Sequence, residues 1–160
     1  MKCAITQQLL SCAITQRMNK SAANTKKEYT LYIPGEPMAK ARPRFTGKFV
    51  YTPAKTVNYE VLIKELFIEK YGSAMIDGYI NANIAAYFSI PKSTSKKKRD
   101  GMIRGVILPT KKPDLDNIAK IILDSLNKIA FVDDSYVTRL SVEKYYSEKP
   151  RVEVFISEIN

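Results

Sequence analysis

Six side chains between residues 111 and 137 have the types and spacing for phosphate chemistry. In the stretch KKPDLDNIAKIILDSLNKIAFVDDSYV, Asp114 and Asp116 stand two apart. Lys120 and Asp124 follow at steps of four, and Asp133-Asp134 come near the end. Pro113 disfavours helix ahead of it, so Asp114 and Asp116 are expected on extended backbone entering a helix. Side chains two apart on such backbone point the same way, and the two carboxylates could face one cation. Hard Mg²⁺ takes one or two carboxylates together with waters and phosphate oxygens. Asp116 also falls near the helix N-terminus, where backbone N–H groups favour anions.

Each of these residues has a plainer reading. Asp116 could be an N-cap, Lys120 half of a surface ion pair, and Asp133-Asp134 a turn into the next strand. An N-cap accounts for one aspartate and leaves Asp114 over. On a helix Asp116, Lys120 and Asp124 share a face, which puts Lys120 beside the carboxylates. There it could hold a scissile phosphate or offset transition-state charge, with Asp124 as its orienting partner. A helix over 117–129 rises about 18 Å. Asp133-Asp134 can therefore return to the first acids only if the following strand lies beside the residues entering the helix.

These acids sit in a basic chain. Its 160 residues, 45% hydrophobic, suit one domain with a real core. Lys+Arg total 26 against 16 Asp+Glu, a formal charge of +10 that favours polyanions such as nucleic acid or an anionic surface. The absence of histidine excludes a Ser-His-Asp triad, His-ligated zinc and histidine acid/base chemistry. The two cysteines, Cys3 and Cys12, supply neither a disulfide framework nor a four-ligand metal site, and a reducing cytoplasm is the expected compartment. No apolar run approaches the roughly 18 residues of a spanning helix, so no membrane role is expected.

The elements that must position the acids follow from periodicity. Residues 1–27 read as a peripheral extension, a poor signal peptide with a plausible second start at Met18, ahead of a domain over 28–160. A first strand is expected at 29–33. The basic loop Lys40-Ala-Arg42-Pro-Arg44-Phe45 follows, read either as phosphate contact or as a solvated turn. Tyr59, Leu62, Ile63, Leu66 and Phe67 make the apolar stripe of a helix near 57–71. Ile80, Ala82, Ile84, Ala86, Phe88 and Ile90 alternate as one face of a strand over 79–90. A long basic connection over 91–113 carries Lys96-Lys97-Lys98-Arg99, Lys111 and Lys112, with a short helix capped by Ser95, and reads as a DNA-contacting arm. Ile118, Ile121, Ile122, Ser125, Leu126 and Ile129 mark the second main helix, and strands at 136–146 and from Val152 complete the order. Together these predict an α+β fold: a small mixed β-sheet with two main helices packed on one face.

Pro-Asp-Leu-Asp-Asn, a lysine four after the second Asp, Asp-Ser-Leu-Asn later in the helix and then Asp-Asp-Ser-x-Val together resemble the RusA family of Holliday-junction resolvases. These are small homodimeric endonucleases often carried by prophages. GEPMAKARPRF, KSTSKKKR and TKKPDLDN extend the likeness over roughly residues 29–156. The resemblance implies that Asp114, Asp116 and Asp134 bind Mg²⁺, with Mn²⁺ as an alternative. It makes Asp133 a secondary ligand, Lys120 a support for catalysis and Asn117 a brace for the loop. It implies branched DNA as the partner, a homodimer and no small-molecule cofactor. Lys40, Arg42, Arg44, Lys96, Lys97, Lys98, Arg99, Lys111 and Lys112 become the expected DNA contacts. Two departures stand out. Some members carry one more residue between the aromatic, here Phe131, and the Asp pair. Lys128 stands where many relatives have glycine. A non-catalytic junction-binding protein and a less selective branched-DNA nuclease are the alternatives.

Overall fold

The computed structural model describes residues 26–42, 44–45 and 47–159, with the side chains of Arg44 and Tyr51 outside that description. The expectation of a peripheral N-terminal extension therefore falls almost wholly outside the described residues. In order, the elements are β1 (Glu28–Pro34), β2 (Arg44–Phe45), β3 (Val50–Tyr51), α1 (Ala54–Tyr71), β4 (Tyr79–Ser89), α2 (Lys96–Ile103), α3 (Leu115–Leu126), β5 (Val137–Ser147) and β6 (Arg151–Ile159). A single 3₁₀ turn, Asp134–Tyr136, leads into β5. Among the described residues no helix is long and apolar enough to cross a membrane.

The alternation that predicts the sheet also fixes its buried face. Tyr29, Leu31 and Ile33 of β1, Ile80, Ala82, Ile84, Ala86 and Phe88 of β4, and Val152, Val154 and Ile156 of β6 are all buried. Tyr59, Ile63 and Phe67 of α1 and Ile118, Ile121, Ile122 and Leu126 of α3 pack against them in one core. Strands of period 2 and helices of period 3.6 thus turn their apolar sides to the same space. The result is the expected α+β arrangement: one mixed four-stranded sheet, with α1 and α3 on one face and the third helix, α2, in the connection between β4 and β5.

The sheet order is β1-β6-β4-β5. β6 runs antiparallel to both β1 and β4, whereas β4 and β5 are parallel. Parallel neighbours need a long crossover, and α2 and α3 supply it. Only residues 148–150 separate β5 from β6, yet the two are not neighbours, because the chain steps across the end of β4. Arg151 holds this crossing. Its guanidinium donates to Ser147 Oγ and the Lys149 carbonyl and lies 3.8 Å from the Tyr87 ring centroid.

The strand bounds differ from expectation by a residue or so, and the larger differences lie at the two helices and in the basic loop. α1 starts at Ala54 rather than 57, directly after Pro53, which stands at the N-cap position. α3 covers Leu115–Leu126 rather than 117–129, because Asp114 takes the N-cap position and Asn127 turns extended at φ −59°, ψ 133°. The basic loop is interrupted by the short β2–β3 hairpin.

Candidate active site

The α3 N-terminus displays the first two acids differently from the sequence expectation. Asp114 is extended (φ −75°, ψ 155°), but Asp116 lies inside the first helical turn, so the two do not share an extended segment. Although Asp114 occupies the N-cap position, its side chain makes no cap hydrogen bond. The helix is closed instead by its carbonyl, which accepts from the Ile118 amide at 3.1 Å. Both carboxylates are exposed at the positive end of the helix. Asn117 Nδ2 lies 3.3 and 3.4 Å from the two Asp116 oxygens, and its backbone carbonyl accepts from the Lys40 amide at 3.1 Å. Asn117 thus braces the loop through its main chain.

That brace forms a cleft of about 630 Å³. Ala39, Lys40 and Arg42 make one wall; Lys112, Asp114 and Asn117 make the other. The Lys112-Pro113 peptide at its edge is cis. Arg42 and Lys112 are exposed, so cations and a carboxylate meet in one groove.

Asp133 and Asp134 stand elsewhere. α3 is 12 residues long, about 18 Å. Its start lies beside the second half of β5, where Leu115 shares a pocket with Val142, Lys144 and Tyr145. Its end lies by the start of β5, where Phe131 bridges to Ile76 ahead of β4 and Val137 pairs with Ile80. β5 therefore returns alongside α3, but its first residues, not its last, follow the Asp pair. Asp114 and Asp134 end up about a helix length apart. Among the described residues no three His, Cys, Asp or Glu side chains converge to hold a metal ion. Asp114 and Asp116 have the donor chemistry of a partial Mg²⁺ site, one or two carboxylates with room for water and phosphate. Among the described residues Asp134 is not grouped with them.

The Asp pair is also divided in role. Asp133 Oδ1 accepts the Ser135 amide at 3.0 Å and caps the 3₁₀ turn. Bonds from the Ser135 side chain and amide hold the Asp133 carboxyl below the usual carboxylate range. Asp134 begins the turn and is exposed.

Lys120 is exposed on α3 and makes no ion pair among the described residues. The expected Lys120–Asp124 pair is not formed. Asp124 Oδ2 instead lies 3.2 Å from Lys40 Nζ, and Lys40 also bonds Glu60 of α1. Burial pulls the Lys40 ammonium down, but its bonds to Glu60 and Asp124 and their charges outweigh that and raise its pKa. Lys40, expected as a DNA contact, is thus engaged inside the protein. Glu60 was not singled out by the sequence. It adjoins buried Tyr59 on the edge of the α1 stripe, and a half-buried acid there needs a cation.

The basic arm is a folded element. α2 exposes Lys96, Lys97 and Lys98, while Gly101 and Met102 are buried. The Gly101 carbonyl accepts from the Val106 and Ile107 amides, and a Cβ on Gly101 would meet Ile107 Cδ1 at 3.0 Å. Arg99 pairs with Glu148 at 2.7 Å on the surface. Lys111 lies 5.3 Å from the Phe88 ring centroid. Arg44's side chain lies outside the described residues.

Residues 34–157 match the family model described as Endodeoxyribonuclease RusA. The chain is also 38% identical over 139 residues to a Bacillus subtilis (strain 168) protein described as "Uncharacterized protein YqaN", with 83% of this chain and 96% of that protein covered. The span matched by the family model includes the cleft, the α3 acids, Lys120 and the Asp133-Asp134 pair.

Proposed function

Because the chain belongs to the RusA endodeoxyribonuclease family, we propose that it is a Mg²⁺-dependent endonuclease that resolves four-way DNA junctions by paired phosphodiester cleavage. The observation that carries this reading is the pair of exposed carboxylates, Asp114 and Asp116, at the start of α3 beside a cation-lined cleft. In this reading Asp114 and Asp116 of one copy and Asp134 of a second copy hold the cation, with Mn²⁺ as an alternative. The helix length between Asp114 and Asp134 argues for this split, since one chain alone leaves the third ligand out of reach. Asp133, its carboxylate taken up by the Ser135 turn, supports Asp134 rather than the cation.

A bound divalent cation would supply the activated water and the charge that offsets the leaving oxygen. The protein's own part is to bind and orient. Arg42 and Lys112 draw the DNA backbone into the cleft, and the lysines of α2 and Lys111 extend the basic track along the crossover. Lys120, one turn beyond Asp116 and without an ion pair among the described residues, holds charge on the scissile phosphate. Hydrolysis adds water at phosphorus and breaks one P–O bond, so each site makes one nick. A junction needs two such cuts, and a two-fold dimer presents two equivalent sites.

The test is a labelled synthetic junction incubated with and without Mg²⁺, with flap and linear duplex alongside. Metal-dependent paired nicks, with junction preferred over flap, are expected. Asp116→Asn should bind the junction and leave it uncut. Wild-type protein that shifts the junction without cutting it would instead support a non-catalytic binder. Equal cleavage of flap and junction would support a less selective nuclease.

A further inference from the structure

We propose that Lys40, held by Glu60 and Asp124, is a positioning residue that latches the 36–42 loop against α1 and α3 and so presents Arg42 to the DNA backbone. This rests on the nuclease reading for its consequence, though not for its geometry.

One ammonium stands between two carboxylates from different helices, Glu60 on α1 and Asp124 on α3, the latter at 3.2 Å. All three side chains are partly withdrawn from water, at 27, 19 and 31% exposure, so solvent and salt screen the pairs less than they would at an open surface. A cation facing two carboxylates is poorly placed to serve a phosphate, since each new contact would have to displace one already made. The same residue is fixed through its backbone, because the Lys40 amide donates to the Asn117 carbonyl at 3.1 Å. Lys40 is therefore tied to the first turn of α3 by its main chain and to the third turn by its side chain.

The loop needs such a tie. Residues 35–42 form no helix or strand. Pro37 is buried and Met38 packs against the core, which anchors the loop immediately before Lys40. Immediately after, Ala39 and Arg42 face Lys112, Asp114 and Asn117 across the cleft. Releasing Lys40 would free the wall that carries Arg42 while leaving the α3 acids in place. Asp124 belongs to the same device and not to Lys120.

Two measurements test this on the full chain. The first is amide hydrogen exchange. Lys40→Met and Asp124→Asn should each speed exchange at the Lys40 amide at least about tenfold while the α3 core stays protected, and Lys40→Arg should preserve protection. The second is junction affinity against salt. Each lost phosphate contact lowers the log–log slope by about 0.9. Arg42→Ala and Lys40→Met should each lower the slope by about that amount, and the double variant should fall no further. A double variant that loses a second such increment would overturn the proposal, because Lys40 would then touch phosphate itself. So would unchanged exchange at the Lys40 amide. If Lys40→Met does not fold, Asp124→Asn alone decides: it keeps the Lys40 charge, so a released latch lowers the slope by about 0.9, and an unchanged or steeper slope overturns the proposal. If the wild-type chain binds no junction, the nuclease reading fails while the exchange measurement still judges the latch.

Discussion

Lys144 Nζ donates to the Lys111 carbonyl at 2.9 Å, joining the second half of β5 to the segment that enters α3. Seven residue steps separate Val137 from Lys144 along β5, about 23 Å at strand rise. The contact therefore holds Asp114 at one end of the crossover unit and Asp134 at the other. Lys111 and Lys144 also lie over the same Phe88 ring, at 5.3 and 5.8 Å from its centroid.

Lys144→Met keeps the aliphatic body and removes the bond. A partly exposed, charge-assisted hydrogen bond of this kind contributes about 1 kcal/mol. The variant should lose about that much stability by urea melting, and exchange of backbone amides over 108–114 should accelerate. Unaltered exchange in that segment would show that Lys144 does not hold it.

Lys128 is the one non-glycine residue with positive φ, 62°, among the described residues. The left-handed region costs an ordinary residue about 1–2 kcal/mol. Glycine removes that cost and adds about 0.5–1 kcal/mol of chain entropy in the unfolded state. Lys128→Gly should therefore stabilise the protein by up to about 1 kcal/mol, read as a higher urea midpoint at constant slope. A lower midpoint would mean that the lysine charge near Asp133 outweighs the relief.

These positions show where the sequence is legible. The β4 alternation and the Ile stripe of α3 are local patterns, and both survive in the core, Ile80 through Phe88 and Ile118 through Leu126. The pattern of Asp114, Asp116 and Lys120 is equally local, and all three lie on or at the start of α3. Helix ends are less legible, because Asn127 and Lys128 leave the helix through backbone angles that an apolar Ile129 does not announce. The β2–β3 hairpin has two residues a side, too few for any period. Strand order and ion-pair choice are not local at all. Asp124 has Lys120 four residues away, yet pairs with Lys40, which approaches from another part of the chain.

Burial raises the Tyr59 pKa to about 12, with the Met38 backbone acting in the opposite direction. The sign follows from linkage. The folded state keeps its proton where the unfolded state loses it, so this contribution is intact below about pH 10 and is lost as pH rises toward 12. Two pH units correspond to roughly 2–3 kcal/mol. Stability measured by urea melting should fall across that window, and Tyr59→Phe should flatten the fall. An equally steep fall in Tyr59→Phe would assign the alkaline loss to other groups.

The separation of Asp114 and Asp116 from Asp134 makes the two-copy site directly testable. Asp116→Asn and Asp134→Asn should each abolish junction cleavage alone, as both damage every site. Mixed and allowed to exchange subunits, they behave differently under the two arrangements. If each site takes Asp116 from one copy and Asp134 from the other, a mixed dimer contains one doubly damaged site and one intact site. It should regain nicking of one strand, at up to half the wild-type rate per mixed dimer, without paired resolution. If each chain builds its own site, every site in the mixture stays damaged and no nicking returns. The measurement is single-turnover cleavage of a junction labelled on each strand in turn, with subunit exchange verified by a size-tagged partner. Complete silence in a verified mixed dimer would return Asp134 to its own chain or remove it from the site.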